Sequence, residues 1–285
     1  MIRIGQAVKQ AKERLEHCGV ENAAHDAWRL LALVLRGDPL SLRLRAAEVL
    51  TDQQESAFDK FVERRARREP LQYIEGDAEF MGVRLEVNGS VLIPRQDTET
   101  LCLEALRLLK AGDRVLDIGT GSGAIAVALK HGCSGAAVTA VDISADALTV
   151  AKKNAEGCGT EIEFLKSDCF GALGGRRFDM IVSNPPYLND AEMKTLMPEV
   201  CCEPEGALYG GTDGLDYYRR ICREAPQHLS PGGRLLFEIG WQQKDAVSDL
   251  MRQFVGEPYA LKDLSGNWRV VCAEWRGTAE GGKKD

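Results

Sequence analysis

A short stretch, SNPPYLN at positions 183–189, carries residue types that could do chemistry. Asn184 offers a carbonyl oxygen as acceptor and an NH2 group as donor in one plane. The carbonyl oxygen of Pro185 is a second acceptor, Pro185 and Pro186 together stiffen the loop, and Tyr187 offers a flat face for stacking. Two acceptors beside a ring predict a binding site for a planar NH2 group, either an amide or an exocyclic amine.

Such a site would also activate the nitrogen that it binds. The lone pair of an amide or adenine nitrogen is delocalised, so this nitrogen is a weak nucleophile. Hydrogen bonds accepted from both of its N–H groups return electron density to the nitrogen and aim its lone pair at a methyl donor, so that orientation supplies much of the rate. No histidine or cysteine in the motif is placed as a base, and we expect the proton to leave to water late in the reaction.

A glycine-rich stretch, DIGTGSG at positions 117–123, follows a predicted buried strand. Glycines at 119, 121 and 123 let the backbone turn tightly and approach a ligand closely. Asp142 follows at the end of the next predicted strand, where its carboxylate can accept hydrogen bonds from both hydroxyls of a ribose. The pattern predicts a cofactor that contains a nucleoside.

Two cofactors fit this pattern. Gly119, Gly121 and Ala124 match the relaxed dinucleotide fingerprint, with an acid at the right distance. Asp117 would repel a pyrophosphate, but it would favour the cationic amino acid end of S-adenosyl-L-methionine. We therefore expect S-adenosylmethionine rather than NAD, and a glycine turn without a ligand is the structural alternative.

Strands and helices alternate after residue 114. We predict strands over 114–119, 137–144, 161–168, 178–184 and 232–240, a helix from Ser122, and another from Ala145 to about Ala155. The segments YALKDL and WRVVCAEW predict a closing antiparallel pair. This alternation indicates an α/β protein with a mostly parallel sheet and helices on both faces, in which ligands bind at the carboxyl ends of the strands.

The chain divides near residue 75. Residues 1–75 have helical periodicity and predict a small helical bundle, and the clustered Arg64, Arg65, Arg67 and Arg68 are interpreted as the solvated end of a helix. Apolar runs on both sides of Asn88-Gly89 predict a linking β-hairpin over 76–96.

The α/β domain is expected to span 97–276, with Asp97 or Thr98 capping a helix that starts near Glu99. Residues 277–285 are predicted to be disordered, because they contain almost no apolar side chains.

Composition narrows the class of protein. The net charge of −7 argues against broad nucleic-acid binding. Nine cysteines without a CxxC pair indicate reduced thiols and no metal site. No apolar run reaches the roughly 18 residues of a membrane span, and the N-terminus lacks a signal-peptide pattern. A cytoplasmic protein without membrane contact is expected.

The motifs resemble those of the HemK/PrmC protein-(glutamine-N5) methyltransferases, which modify class-1 peptide chain release factors. NPPY alone is shared with adenine-N6 methyltransferases, whereas the block at 69–101 and the helical N-terminal domain are more specific. The resemblance covers nearly the whole chain and includes EPLQYIEGDAEFMGVRLEVNGSVLIPRQDTETL (69–101), DIGTGSGAIAVAL (117–129), SNPPY (183–187), GTDGLDYYRRI (211–221) and DLSGNWRVV (263–271).

This resemblance implies a Rossmann-like class I methyltransferase sheet with a small N-terminal helical bundle that docks the protein substrate. It implies methyl transfer from S-adenosylmethionine to the side-chain amide nitrogen of the glutamine in the GGQ motif of release factors.

The resemblance also implies roles for particular residues. The cofactor would contact Asp117, Gly119, Thr120, Gly121, Ser122, Gly123, Asp142, Asp168, Cys169 and Asn184, with Asp168 and Cys169 near the adenine. The substrate glutamine would be held by Asn184, Pro185, Pro186 and Tyr187. The family often has a large aromatic residue at the position of Cys169, so Phe170 or another ring is expected to cover the adenine here. Gln96 replaces the family's usual proline after IPR.

Three other functions remain open. One is a glutamine-N5 methyltransferase that acts on a ribosomal protein. Another is an adenine-N6 methyltransferase of nucleic acids, for which a basic face would be expected. The third is an interaction module that binds no cofactor.

Overall fold

The computed structural model describes residues 1–277 and divides into two compact units. The first, called the helical unit, contains Met1–Asp77 and Met197–Cys202. The second, called the sheet unit, contains Ala78–Leu196 and the chain from Glu203 onward. The four-part division expected from the sequence stays a prediction, and residues 278–285 of its predicted tail lie outside the described residues.

The helical unit buries one apolar face from each of its main helices. Residues such as Ile4, Leu15, Leu30 and Phe58 form its core and are almost fully buried. The helical region predicted from periodicity is confirmed, although two short helices had not been foreseen. The helices are α1 (Ile4–His17), α2 (Ala23–Leu35), α3 (Pro39–Leu44), α4 (Asp52–Ala66) and α5 (Leu71–Glu75).

The arginines at the end of α4 are paired with carboxylates rather than simply solvated, which corrects the expectation from the sequence. The side chain of Arg65 is only 8% exposed; it donates to Asp26 at 2.8 Å and to Glu199 at 2.9 Å. Arg68 makes a bidentate pair with Glu199, with both distances 2.6 Å. Arg64 pairs with Glu69 in the same way. Of the four arginines, only Arg67 has a largely exposed side chain.

A hairpin follows the helical unit, but its turn is not at Asn88-Gly89. Strands β1 (Asp77–Phe80) and β2 (Val83–Glu86) are joined at Met81 and Gly82, whose φ values are 50° and 75°. Positive φ at both central residues is typical of a tight hairpin turn.

Residues 91–93, expected to form the returning strand, do not form a strand in the structure. The backbone N–H of Ile93 instead donates to a carboxylate oxygen of Glu203 at 3.1 Å. Because a buried N–H needs some partner, this contact replaces the ladder bond that a strand would have made.

The main sheet has seven strands in the order β5-β4-β3-β6-β7-β9-β8. The first five strands in this order are parallel, and β9 is antiparallel to both of its neighbours. The antiparallel pairing of β8 with β9 is the closing pair that the sequence predicted. The predicted α/β, Rossmann-like fold is therefore confirmed. The strands are β3 (Arg114–Ile118), β4 (Ala137–Asp142), β5 (Glu163–Lys166), β6 (Phe178–Ser183), β7 (Leu229–Glu238), β8 (Pro258–Lys262) and β9 (Trp268–Glu274).

Helices cover both faces of this sheet. Along β3, Val115 belongs to one apolar cluster and Leu116 to the other, because successive side chains of a strand point to opposite faces. The sheet is accompanied by α6 (Gln96–Leu108), α7 (Ala124–Gly132), α8 (Ala145–Gly157), α9 (Asp190–Met193), α10 (Asp216–His228) and α11 (Lys244–Phe254).

Helix α6 begins three residues earlier than expected, and neither predicted residue caps it. Its N-cap is Arg95, which makes no side-chain cap hydrogen bond. Thr98 is consequently a buried residue of the first helical turn, with its hydroxyl free for other contacts. Across residues 1–277, no helix is long and apolar enough to cross a membrane.

Glu199 should stabilise the helical unit in a pH-dependent way. Burial opposes its ionisation, but hydrogen bonds from Arg68 and Arg65 outweigh this and lower its pKa to about 2. Because the pKa is depressed, the stabilisation is present above the ordinary glutamate pKa of about 4.3 and is lost as the pH falls toward 2. Glu199→Gln should lower the free energy of unfolding at pH 7 by about 1–3 kcal/mol, measured by chemical denaturation.

The matched control is Glu63→Gln, which removes the partner of the exposed Arg67. Exposed pairs contribute little, so this change should stay below about 1 kcal/mol. Equal losses in the two variants would contradict a special role for Glu199.

Candidate active site

The predicted site residues lie at the carboxyl edge of the parallel strands. The glycine loop follows β3, Asp142 ends β4, Asp168 follows β5, and the SNPPY motif begins at the end of β6. Strands β3 and β6 are in register, with Ile118 beside Ser183, and the Ser183 hydroxyl donates to the Ile118 carbonyl at 2.7 Å. Asn184 therefore directly neighbours the glycine loop.

The glycine loop forms an open cradle. Gly119 and Gly121 have φ values of 72° and 55°, which side chains rarely adopt, and a Cβ at either position would meet no atom within 4 Å. A Cβ at Gly123 would instead approach Ala151 of α8 at 3.1 Å. The first two glycines thus leave open space in which a ligand could approach the backbone, while the third allows the loop to pack on α8.

Asp142 is fixed beside this cradle. One of its carboxylate oxygens accepts from the backbone N–H of Gly121 at 2.9 Å, and the other accepts from the N–H of Ser144 at 2.8 Å. Ser144 in turn caps α8. Each oxygen keeps lone-pair capacity, so the half-exposed carboxylate is oriented for two further donors, as the two hydroxyls of a ribose would require.

Asp117 is fully buried at the base of the cradle. The Thr120 hydroxyl donates to its Oδ2 at 2.6 Å, whereas Oδ1 has no partner in the described chain. Burial raises the pKa of Asp117 to about 7, and the nearby charge of Asp142 adds to this rise. An unpaired buried carboxylate oxygen fits a cationic ligand group, which is the feature expected for the amino end of S-adenosylmethionine.

Asn184 is half-buried, and part of its amide is already engaged. Its NH2 group donates to the hydroxyl of Thr98 at 3.2 Å. Pro185 is buried, while Pro186 and Tyr187 are half-buried. Burial raises the pKa of the Tyr187 phenol to about 12, so this side chain stays neutral near pH 7.

The backbone of the SNPPY loop is held by a second loop and by Gln243. The Gln243 amide donates to the carbonyls of Tyr187 and Gly214 at 3.0 and 3.2 Å. A Cβ at Gly214 would lie 2.3 Å from the Tyr187 carbonyl oxygen, so only glycine allows this approach. Sequence reasoning missed Gln243, because it lies far along the chain from its partners and has no local signal.

The expectation that Phe170 covers an adenine does not fit the structure. Its ring is 3% exposed and stacks on His228, with centroids 4.5 Å apart. Asp168 and buried Cys169 follow β5, which ends at Lys166 rather than at residue 168 as expected, and the Asp168 carboxylate is paired with Arg220 at 2.5 Å. Tyr217 is half-buried and packs against the cluster that contains Cys169, which makes it the better candidate for a ring beside an adenine.

Comparisons with known proteins place the chain in a family. Residues 6–76 match the PrmC N-terminal domain, and residues 96–211 match the methyltransferase small domain. The release factor glutamine methyltransferase of Geobacter sulfurreducens is 44% identical over 89% of this chain and 90% of its own length. That of Deinococcus radiodurans is 38% identical over 97% of this chain and all of its own.

Solved structures support the fold. A methyltransferase from Pyrococcus furiosus, 22% identical, superposes with a TM-score of 0.56 over 76% of this chain and 99% of its own. A 16S rRNA methyltransferase from T. thermophilus, solved with S-adenosylmethionine and guanosine, is 23% identical and gives a TM-score of 0.50 over 70% of this chain and 50% of its own.

The fold and the family matches define an S-adenosylmethionine-dependent methyltransferase. Within that class, the chain belongs to the release factor glutamine methyltransferase family. The prediction of S-adenosylmethionine over NAD is confirmed. The roles of the individual site residues stay predictions.

Replacing Asp142 tests the ribose contact. Asp142→Ala should weaken S-adenosylmethionine binding by about 1.5–3 kcal/mol, the range for hydrogen bonds to a charged group, as measured by calorimetry. Asp146→Ala is the matched control, since this carboxylate is exposed on the first turn of α8. Unchanged affinity in Asp142→Ala would show that the ribose binds elsewhere.

Asp117 should make cofactor affinity depend on pH. Its pKa of about 7 means that the carboxyl is mostly protonated at pH 6 and mostly ionised at pH 7.5. A cationic ligand favours the ionised form, so affinity should rise between these pH values by a factor on the order of five to ten. Asp117→Asn should bind more weakly and lose this dependence; an unchanged pH profile in that variant would exclude the pairing.

Proposed function

We propose that this chain transfers a methyl group from S-adenosylmethionine to the side-chain amide nitrogen of the GGQ glutamine in class-1 peptide chain release factors. The proposal agrees with the names of its relatives in G. sulfurreducens and D. radiodurans. The observation that carries it is the half-buried Asn184 amide, which follows the Ser183–Ile118 contact and so lies beside the cofactor loop.

In this mechanism the protein acts mainly by orientation. When bound, S-adenosylmethionine supplies a methyl group on a positively charged sulfur. The Asn184 side-chain oxygen and the Pro185 carbonyl oxygen accept hydrogen bonds from the two N–H groups of the substrate amide, which returns electron density to its nitrogen. Tyr187 packs beside the substrate and, with its raised pKa, does not act as a base. The amide proton leaves to water.

The partner is therefore a protein, and we assign its docking to the helical unit. This unit is matched by the PrmC N-terminal domain over residues 6–76, and it contains no residue of the candidate active site. The net charge of −7 disfavours direct nucleic-acid binding. Translation factors as substrates agree with a cytoplasmic enzyme that does not contact membranes.

The test is methyl transfer to purified release factor, with the modified residue mapped by mass spectrometry. Asn184→Ala should lower kcat by about 100- to 1,000-fold, the usual cost of one preorganised electrostatic contact. Asn184→Asp keeps an acceptor and should retain partial activity. S-adenosylmethionine affinity should change little in either variant, because the amide faces the substrate.

A release factor whose GGQ glutamine is replaced by asparagine provides the substrate control and should not be methylated. Full activity of Asn184→Ala would end the amide-binding mechanism. Transfer to ribosomal proteins or to total RNA and DNA in place of the release factor would favour the other methyltransferase functions.

A further inference from the structure

A buried carboxylate lies beside the proposed substrate site. Glu238 ends β7 and is 1% exposed. Strands β6 and β7 are in register, with Ser183 beside Phe237, so Asn184 and Glu238 follow at the same edge of neighbouring strands. The hydroxyl of Tyr218 donates to the Glu238 main-chain carbonyl at 2.9 Å, which fixes the strand end.

The Glu238 carboxyl is incompletely satisfied. Its Oε2 has no hydrogen-bond partner in the described chain. Burial raises its pKa to about 7, and hydrogen bonding from Thr98 and Asn184 opposes this rise. Arg269, which also lowers the pKa of Glu238, is itself paired with Asp97 and Asp263, at 3.0 and 3.2 Å. A group buried at this cost calls for an explanation.

An asparagine amide can be placed in two orientations that differ by exchange of its oxygen and its NH2 group. An ionised carboxylate only accepts hydrogen bonds, whereas a threonine hydroxyl both donates and accepts. With the Asn184 NH2 group donating to the Thr98 oxygen at 3.2 Å, the Thr98 proton is free to point to Glu238. The reverse orientation would turn the Asn184 oxygen toward the carboxylate, where two acceptors repel each other.

We propose that Glu238, both directly and through Thr98, fixes the orientation of the Asn184 amide so that its oxygen faces the substrate nitrogen. Glu238 and Thr98 are positioning residues, because neither needs to touch the substrate. This inference rests on the proposed function of Asn184 and adds the groups that select one of its two orientations.

Glu238→Gln should lower kcat by about 10- to 100-fold, less than direct removal of the Asn184 contact. A glutamine both donates and accepts, so both orientations of Asn184 become possible. The KM for release factor and the Kd of S-adenosylmethionine should change less than threefold, since the surfaces that bind them are retained. Thr98→Val should resemble Glu238→Gln, whereas Thr98→Ser keeps the hydroxyl and should recover most of the activity.

A matched control removes a threonine hydroxyl elsewhere. Thr149 lies exposed on α8 and donates only to the carbonyl one turn earlier, so Thr149→Val should leave kcat unchanged. If Glu238→Gln does not fold, which its unfolding midpoint would reveal, the comparison of Thr98→Val with Thr98→Ser carries the test alone.

The pH profile separates orientation from general loss of structure. Ionised Glu238 is the active form, so the kcat of the wild-type protein at saturating cofactor should rise as the pH increases through 7. The kcat of Glu238→Gln should be low and should not change with pH. Cofactor saturation keeps Asp117 paired. The other titratable groups that face Glu238 are Asp97 and Cys102 of α6, Arg269 of β9, Tyr187 and Tyr218.

The inference would be overturned if Glu238→Gln had the same kcat as the wild-type protein across pH 6–8. Equal kcat values for Thr98→Val and Thr98→Ser would also overturn it. Failure of the proposed function would be distinguishable from failure of this inference, because the wild-type protein would then not methylate release factor at all.

Discussion

The alignment of β3, β6 and β7 at their carboxyl ends is the constraint on which the candidate site depends. Ile118 lies beside Ser183, and Ser183 beside Phe237, so the residues that follow these strands are brought to one edge. The glycine loop and the Asn184 amide therefore lie next to each other, and the Ser183 hydroxyl, which donates to the Ile118 carbonyl at 2.7 Å, joins the two strand ends directly. Hydrogen bonds along the strands supply this placement, and loop contacts such as those of Gln243 refine it.

Two buried carboxylates lie at this edge, and both have raised pKa values. Asp117 and Glu238 each keep one oxygen without a partner in the described chain. Burying an apolar side chain at either position would cost less free energy than burying a carboxylate. Their raised pKa values near 7 have burial as the main cause. The same burial strengthens any interaction they make, since water does not screen it. We predict that Asp117 meets a cationic ligand, and we propose that Glu238 orients a neutral amide.

The helical unit adds an ion-pair cluster to its apolar core. Six residues from the middle of the sequence, Met197–Cys202, belong to it, and Glu199 of this segment pairs with two arginines at the end of α4. Because Arg65 is also bound by Asp26, the cluster is an ion-pair network that includes buried charge and in which each member has a partner. Our hypothesis is that specific pairing of this kind fixes which segment of the chain packs there, whereas apolar contacts alone would tolerate alternatives.

The sequence by itself determined the features that depend on local pattern. Apolar runs located the strands, the glycines marked the turn that follows β3, and Asp142 was placed at the end of a strand, as the structure has it. Only the tertiary structure decided which distant groups complete the site: Thr98 is 86 residues from Asn184, and Gln243 is 56 residues from Tyr187. The structure also has the hairpin turn at Met81-Gly82, and the backbone N–H of Ile93, expected to belong to the returning strand, donates to Glu203 instead. Contacts between residues so far apart leave no periodic signal, since they depend on how the strands align and on which buried polar groups remain to be satisfied.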